Sequence, residues 1–277
     1  MNEKIAALKA ELAVLKEQFS KKITEAEIRL KNMIEQEVSA FSEESSHKSK
    51  IYSDDLSDYL PDAECVILLH GLARSSSSMN VIEKRLHAQG YFVININYPS
   101  RDHSIEELAE KFIFKALLKC KGRPINFVTH SMGGILVRQY LSKYKIENLN
   151  KVVMLGPPNN GSEVVDKLCN APGFSFINGD AGMQLGTGEL SIPSKLGEAN
   201  FDLGVIAGTR SVNLILSTLI PDKDDGKVSV ASTKLVGMND HIEMETTHPF
   251  MMRNEKVIEQ VIFYLKEGKF HHQVISN

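Results

Sequence analysis

What the chain lacks narrows its function first. No stretch of its 277 residues approaches about 20 uninterrupted apolar side chains, so no membrane-spanning helix is expected. The N-terminus is charged throughout and has no apolar segment of the kind a secretory signal needs, which makes the cytoplasm the expected address. Cysteine is scarce: Cys65, Cys120 and Cys169 form no C-x-x-C pair and show no metal-ligand spacing. An odd count without a framework fits a reducing compartment, and Cys65, inside an apolar run, reads as a core side chain. A dominant charge of one sign is lacking too. The net charge of −3 comes from interspersed acids and bases, which argues against nucleic acid or another polyanion as partner. Nowhere do His, Cys and Asp cluster at metal spacing, and no glycine-rich turn has the pattern of a dinucleotide site. Neither a metal nor a cofactor is expected.

Residues 1–38 lack both glycine and proline and are rich in Ala, Leu, Glu and Lys. Apolar residues recur at Ile5, Leu8, Leu12, Leu15 and Phe19, then, after one step of four to Ile23, through Ala26, Leu30 and Met33. That is a coiled-coil stripe with a stutter, and Glu11 and Lys16 fall at g and the following e of a parallel pair. A homodimer through this helix is expected, with a single helix docked on its own chain as the alternative. Seven basic and seven acidic residues in this segment argue against a basic membrane-surface helix. Residues 39–62, with seven serines, read as a linker.

From 63 to 277 the pattern alternates strand and helix. Expected strands are Cys65–His70, Phe92–Asn97, Ile125–Thr129, Lys151–Leu155, Leu203–Ala207 and Thr233–Val236, with helices near Met79–Gln89, Ile105–Lys119, Gly133–Tyr144 and Glu255–Lys266. Such alternation implies an α/β fold, a mainly parallel sheet with helices on both faces. Residues 159–200 are glycine-rich and too long for a simple connection, so a small cap is expected there.

The chemistry centres on Val128-Thr129-His130-Ser131-Met132-Gly133-Gly134. A β-branched and aromatic strand precedes it and a helical apolar pattern follows, so Ser131 sits on a sharp corner whose small neighbours are Gly133 and Gly134. The helix dipole at that corner favours a developing oxyanion. A plain serine N-cap would not require the surrounding His, Met and two glycines. An activated serine needs a base and an acid to orient it. His248, before the last helix, is favoured as base over His241, while His271 and His272 read as tail. His130 and His70 are set aside, the first because its side chain points away from its neighbour's at the corner. Asp225, followed by Gly226 and an apolar run, is the leading acid, with Asp222 and Asp224 as rivals.

His-Ser-Met-Gly-Gly after a strand resembles the nucleophile elbow of the α/β-hydrolase superfamily, in particular its bacterial lipases and esterases. Thr129 departs from the pattern, since a glycine usually stands two residues before the nucleophile. Asp225-Gly226-Lys227-Val228 is similar to the segment that carries the acid in bacterial lipases, with His248 following 23 residues later. The strand Cys65–Leu69 ending in His70-Gly71-Leu72 resembles the lipase loop whose backbone forms half of the oxyanion hole. The resemblance implies an α/β-hydrolase fold with Ser131, Asp225 and His248 as catalytic triad, and the N–H groups of Leu72 and Met132 as oxyanion donors. It implies hydrolysis of a small-molecule or lipid ester through an acyl-enzyme. Lipid-like chains are suggested also by Leu72, Phe174, Phe176 and Met183. An acyltransferase, a thioesterase or a non-catalytic scaffold on the same fold stay open as alternatives. Arg74 and Ser75–Ser78 continue the loop and read equally as site lining or as a polar connection.

Overall fold

The computed structural model describes residues 63–170, 174–211, 220 and 223–272. The chain divides into two units, Met1–Asp58 and Tyr59–Asn277. The helix and coiled coil expected over 1–38, and the linker 39–62, lie outside the described residues.

Six parallel strands form one sheet: β1 (Cys65–Leu69), β2 (Phe92–Ile96), β3 (Ile125–His130), β4 (Leu149–Leu155), β5 (Leu203–Gly208) and β6 (Asp240–Met244). Their spatial order is β2-β1-β3-β4-β5-β6. The order reverses between β1 and β3, and in an open parallel sheet the crevice at the carboxyl ends of such a pair is where ligands bind.

Alternation along the strands builds two cores. Cys65, Ile67 and Leu69 of β1, Phe127 of β3 and Val152 and Met154 of β4 pack on one face, with the helices Ile105–Leu108, Phe114–Cys120 and Met132–Leu141. Val66 and Leu68, Val128, Val153 and Leu155 pack on the other, with the helices Asn80–His87 and Glu255–Glu267. Strands covered on both sides read as near-continuous apolar runs, which is why β1 and β3 are so plain in the sequence. Ser104 starts the first helical segment with a capping box, its hydroxyl accepting from the Glu107 N–H while the Glu107 carboxylate accepts from the Ser104 N–H. Between β4 and β5 the chain forms three short helices, Glu163–Leu168, Phe174–Met183 and Ile192–Lys195.

Two expectations are corrected here. The sixth strand is Asp240–Met244, not Thr233–Val236. Val230–Thr233 is a helical turn, capped by the Ser229 hydroxyl, which accepts from the Ser232 N–H at 3.1 Å. The true edge strand reads Asp-His-Ile-Glu-Met and is only partly buried, so it carries no apolar run to find. Cys65 is also not an unpaired core thiol: it is bonded to Cys120, with Cα atoms 5.7 Å apart. The bond joins the start of β1 to the end of the helix Phe114–Cys120 and leaves Cys169 as the free cysteine. Disulfides persist in oxidising surroundings, so this pairing speaks against the reducing compartment expected from the cysteine count.

Candidate active site

β3 ends in His130, and the chain turns at Ser131 directly into the helix Met132–Leu141. Ser131 has φ 53° and ψ −123°, a backbone region that costs a non-glycine residue about 1–3 kcal/mol. Its surroundings hold it there. The Ser131 N–H donates to the Leu155 carbonyl at 2.8 Å, and the Ser131 carbonyl accepts from the Gly134 N–H at 3.0 Å. The helix starts this close to β1 because Gly133 has no side chain; a Cβ there would stand 2.7 Å from the Leu69 carbonyl oxygen. Thr129, the departure from the usual elbow, is fully buried, and its hydroxyl has no hydrogen-bond partner.

His248 opens the 3₁₀ turn His248–Arg253, its ring nearly enclosed. Nε2 lies 3.0 Å from Ser131 Oγ, and Nδ1 lies 2.7 Å from Asp225 Oδ2. A carboxylate only accepts, so Nδ1 carries the proton and the Nε2 lone pair faces the serine hydroxyl. Asp225 is 1% exposed. Its other oxygen accepts from the N–H groups of Lys227 at 3.1 Å and Val228 at 2.9 Å, while its backbone carbonyl accepts from the His248 N–H at 2.9 Å. Acid and base are thus tied through both side chain and backbone. Gly156, after β4, backs the pair: a Cβ there would come within 2.9 Å of Asp225 Oδ2 and 3.2 Å of His248 Nδ1.

The fold therefore brings Ser131, His248 and Asp225 into one hydrogen-bonded line. The described rivals make other contacts. Asp224 Oδ1 accepts from the Gly226 N–H at 2.6 Å, and Asp222 lies outside the described residues. His241 is in β6, three strands from β3, where its Nε2 meets the Thr233 hydroxyl at 3.0 Å and burial lowers its pKa.

A family model described as the alpha/beta hydrolase fold matches residues 64–172. Solved structures resemble the chain over more of its length. A mature lipase from Bacillus licheniformis is 20% identical at a TM-score of 0.59, covering 75% of this chain and 94% of that one. A metagenomic carboxyl esterase is 16% identical at 0.55, covering 69% and 66%. A monoacylglycerol lipase from Paleococcus ferrophilus is 14% identical at 0.51, covering 76% and 96%. No curated protein matches the sequence. The chain has the α/β-hydrolase fold.

Met132 is the first residue of the helix after the elbow, so its N–H has no partner within the helix. Gly71 lies against the same corner, since a Cβ on it would be 3.1 Å from Ser131 Cβ; Leu72 follows directly. The Leu72 side chain reaches the helix Phe174–Met183 at Gly182, where a Cβ would be 2.9 Å away from it. Met183 is 40% exposed, and the side chains of Phe174 and Phe176 are not among those described. His70 Nδ1 donates to the Gly71 carbonyl at 2.8 Å, and its ring stacks on Tyr98 with centroids 4.0 Å apart.

The site uses one residue that sequence reasoning set aside. His130 Nε2 lies 3.0 Å from the His248 carbonyl oxygen, which can only accept, so Nε2 is protonated and donates. The two rings are 4.7 Å apart. His130 Nδ1 is buried without a partner, and burial, reinforced by His248, holds the pKa well below its ordinary value. A neutral His130 thereby pins the backbone of the residue that contacts the serine. Its place immediately before Ser131 was the available signal.

Arg138, in the helix after the elbow, ties that helix to the segment between β4 and β5. Its buried guanidinium donates to the carbonyls of Asn159, Pro193 and Gly197 at 2.8, 3.2 and 2.9 Å, and burial lowers its pKa to about 10. Among the described residues no helix is long and apolar enough to cross a membrane, and no group of three or more His, Cys, Asp or Glu is placed to hold a metal ion.

Proposed function

We propose that the protein is a serine hydrolase cleaving carboxylic esters through an acyl-enzyme. One observation carries the proposal: Ser131, His248 and Asp225 form a continuous line, with hydrogen bonds of 3.0 and 2.7 Å, on a strained corner at the sheet's switch point. In the proposed reaction Ser131 Oγ attacks the ester carbonyl as its proton passes to His248 Nε2. Asp225 holds the imidazole in the tautomer that can accept this proton and stabilises the imidazolium formed. The N–H groups of Leu72 and Met132 hold the oxyanion. His248 then protonates the departing alkoxide, and a water deprotonated by His248 releases the acid and restores the serine. The three short helices between β4 and β5 act as a cap over the acyl chain. An acyltransferase or thioesterase would use the same residues with another acceptor or leaving group. A scaffold would not need an intact hydrogen-bonded line.

The test is direct. A fluorophosphonate should label Ser131, and Ser131→Ala should abolish labelling and lower ester turnover by a factor on the order of 10⁵–10⁶. Wild-type turnover in Ser131→Ala would rule the mechanism out.

A further inference from the structure

Two cations approach the candidate site from different loops. Arg74 lies in the connection that leaves β1, two residues beyond Leu72, and its side chain is exposed. The connection is anchored at Ala73, whose N–H donates to Ser100 Oγ at 3.0 Å, and at Ser76, whose N–H donates to Asn97 Oδ1 at 3.2 Å. Lys227 lies in the turn after Asp225. Its own N–H donates to Asp225 Oδ1 at 3.1 Å, and its carbonyl accepts from Ser162 Oγ at 3.0 Å. The Lys227 backbone is therefore one hydrogen bond from the carboxylate that pairs with His248, while its side chain reaches solvent.

The two charges feel each other. Lys227 has a lowered pKa because surrounding protein strips water from its ammonium and because Arg74 repels it, with Asp225 partly offsetting both. Arg74 and Lys227 both also act on His130, whose ring is in contact with His248. Neither forms an ion pair with a carboxylate among the described residues. The acid nearest to Lys227 in the chain, Asp225, is taken up by His248 and two backbone N–H groups. A surface gains nothing by holding two like charges together unless an anion comes between them, where both become charge-assisted donors.

We propose that Arg74 and Lys227 form an anion subsite beside Ser131, and that the preferred ester carries a phosphate or carboxylate close to its scissile carbonyl. The inference rests on the hydrolase reading and names the substrate class for that same site. Arg74 would approach from the oxyanion side and Lys227 from the acid side, so the anion would fix the ester's direction across the serine. The Asp225 carboxylate offsets one of the two positive charges, and the one that remains steers an anionic substrate inward.

The experiment compares kcat/KM at low ionic strength for three matched esters: a neutral one, its ω-carboxylate counterpart, and its counterpart with a phosphate on the alcohol. The readout is the ratio of anionic to neutral ester. Wild type should favour one anionic ester by about tenfold or more, the better of the two identifying the anion. The ratio should fall towards one in Arg74→Gln/Lys227→Gln, survive in Arg74→Lys, and shrink with added salt. A wild-type ratio near one, or a ratio unmoved by the double substitution, overturns the subsite. If the two cations instead served the oxyanion of every ester, neutral and anionic rates would fall together, which also overturns it. A binding arm separates this from failure of the hydrolase reading. Calorimetry on Ser131→Ala should show the same anionic ester binding more tightly than the neutral one, with the difference lost when Arg74 and Lys227 become Gln. Equal binding overturns the subsite. Absence of turnover together with absence of Ser131 labelling would count against the hydrolase alone.

Discussion

The two ends of the sheet solve opposite problems. At the carboxyl ends of β3, β4 and β5 the chain stores cost: a serine at φ 53°, a buried carboxylate and a buried ring with an unpartnered nitrogen. At the amino end of β1 it stores cohesion, with Cys65 bonded to Cys120 and both at 0% exposure. Chemistry needs polar groups held where relaxation would place them differently, and such groups persist only if the rest of the fold over-determines them. Substitutions at the first end should therefore move turnover more than melting, and substitutions at the second should do the reverse.

The largest effect should come from the base. His248→Ala should lower ester turnover by a factor on the order of 10⁵–10⁶, whereas His241→Ala should stay near wild type because its ring, in the edge strand, serves Thr233 of a neighbouring helical turn. A reversed ranking in steady-state kinetics would move the base to His241 and break the comparison at its first end.

At the opposite end, replacing both Cys65 and Cys120 with Ala should leave kcat nearly unchanged. It should cost about 4 kcal/mol of stability, the chain-entropy value for a cross-link spanning 55 residues. Thermal or urea unfolding measures this, and thiol titration of the unfolded wild type should find one free cysteine. Three free thiols would remove the staple and return the cysteines to the reduced state that their number first suggested.

How much could be read in advance follows from burial. β1 to β5 stood out because covered strands are apolar along their length, and the elbow stood out because close approach to β1 demands Gly133. β6 was missed because an edge strand keeps polar side chains, and a nearby Val-Ala-Ser-Thr run imitated a strand while its serine cap made it a helical turn. The disulfide was missed because 55 residues separate its halves and nothing local distinguishes a bonded Cys65 from a packed one. The role of His130 was missed for a related reason. Its partner is a backbone carbonyl 118 positions away, which no side-chain pattern announces.

A subtler effect sharpens the first end. Burial holds the His130 pKa below its ordinary 6.5, so the folded protein binds fewer protons there than the unfolded chain. That contribution is complete above pH 6.5 and is lost as pH falls below it. His70 and His241 shift in the same direction. Melting temperature should decline from pH 7 to pH 5, and His130→Gln, which keeps a donor but does not titrate, should flatten the decline. An unchanged slope would exclude His130 as a contributor.

The smallest effect concerns Thr129. Its buried hydroxyl lacks a partner, so Thr129→Val, nearly the same shape, should stabilise the fold by up to about 1 kcal/mol with activity kept. Destabilisation in a melting experiment would mean that the hydroxyl serves the elbow after all.

Arg138 gives the molecule a rule of modularity. The guanidinium belongs to the helix that carries the elbow, yet the oxygens that satisfy it, on Asn159, Pro193 and Gly197, all belong to the segment between β4 and β5. That segment is consequently not an interchangeable part. A graft from another protein of this fold would have to present three carbonyls in the same register, or leave a buried cation without its hydrogen bonds. Diversification of the segment is therefore confined to the stretch between its fixed points, and the helix behind the serine acts as the template against which any new sequence is accepted or refused.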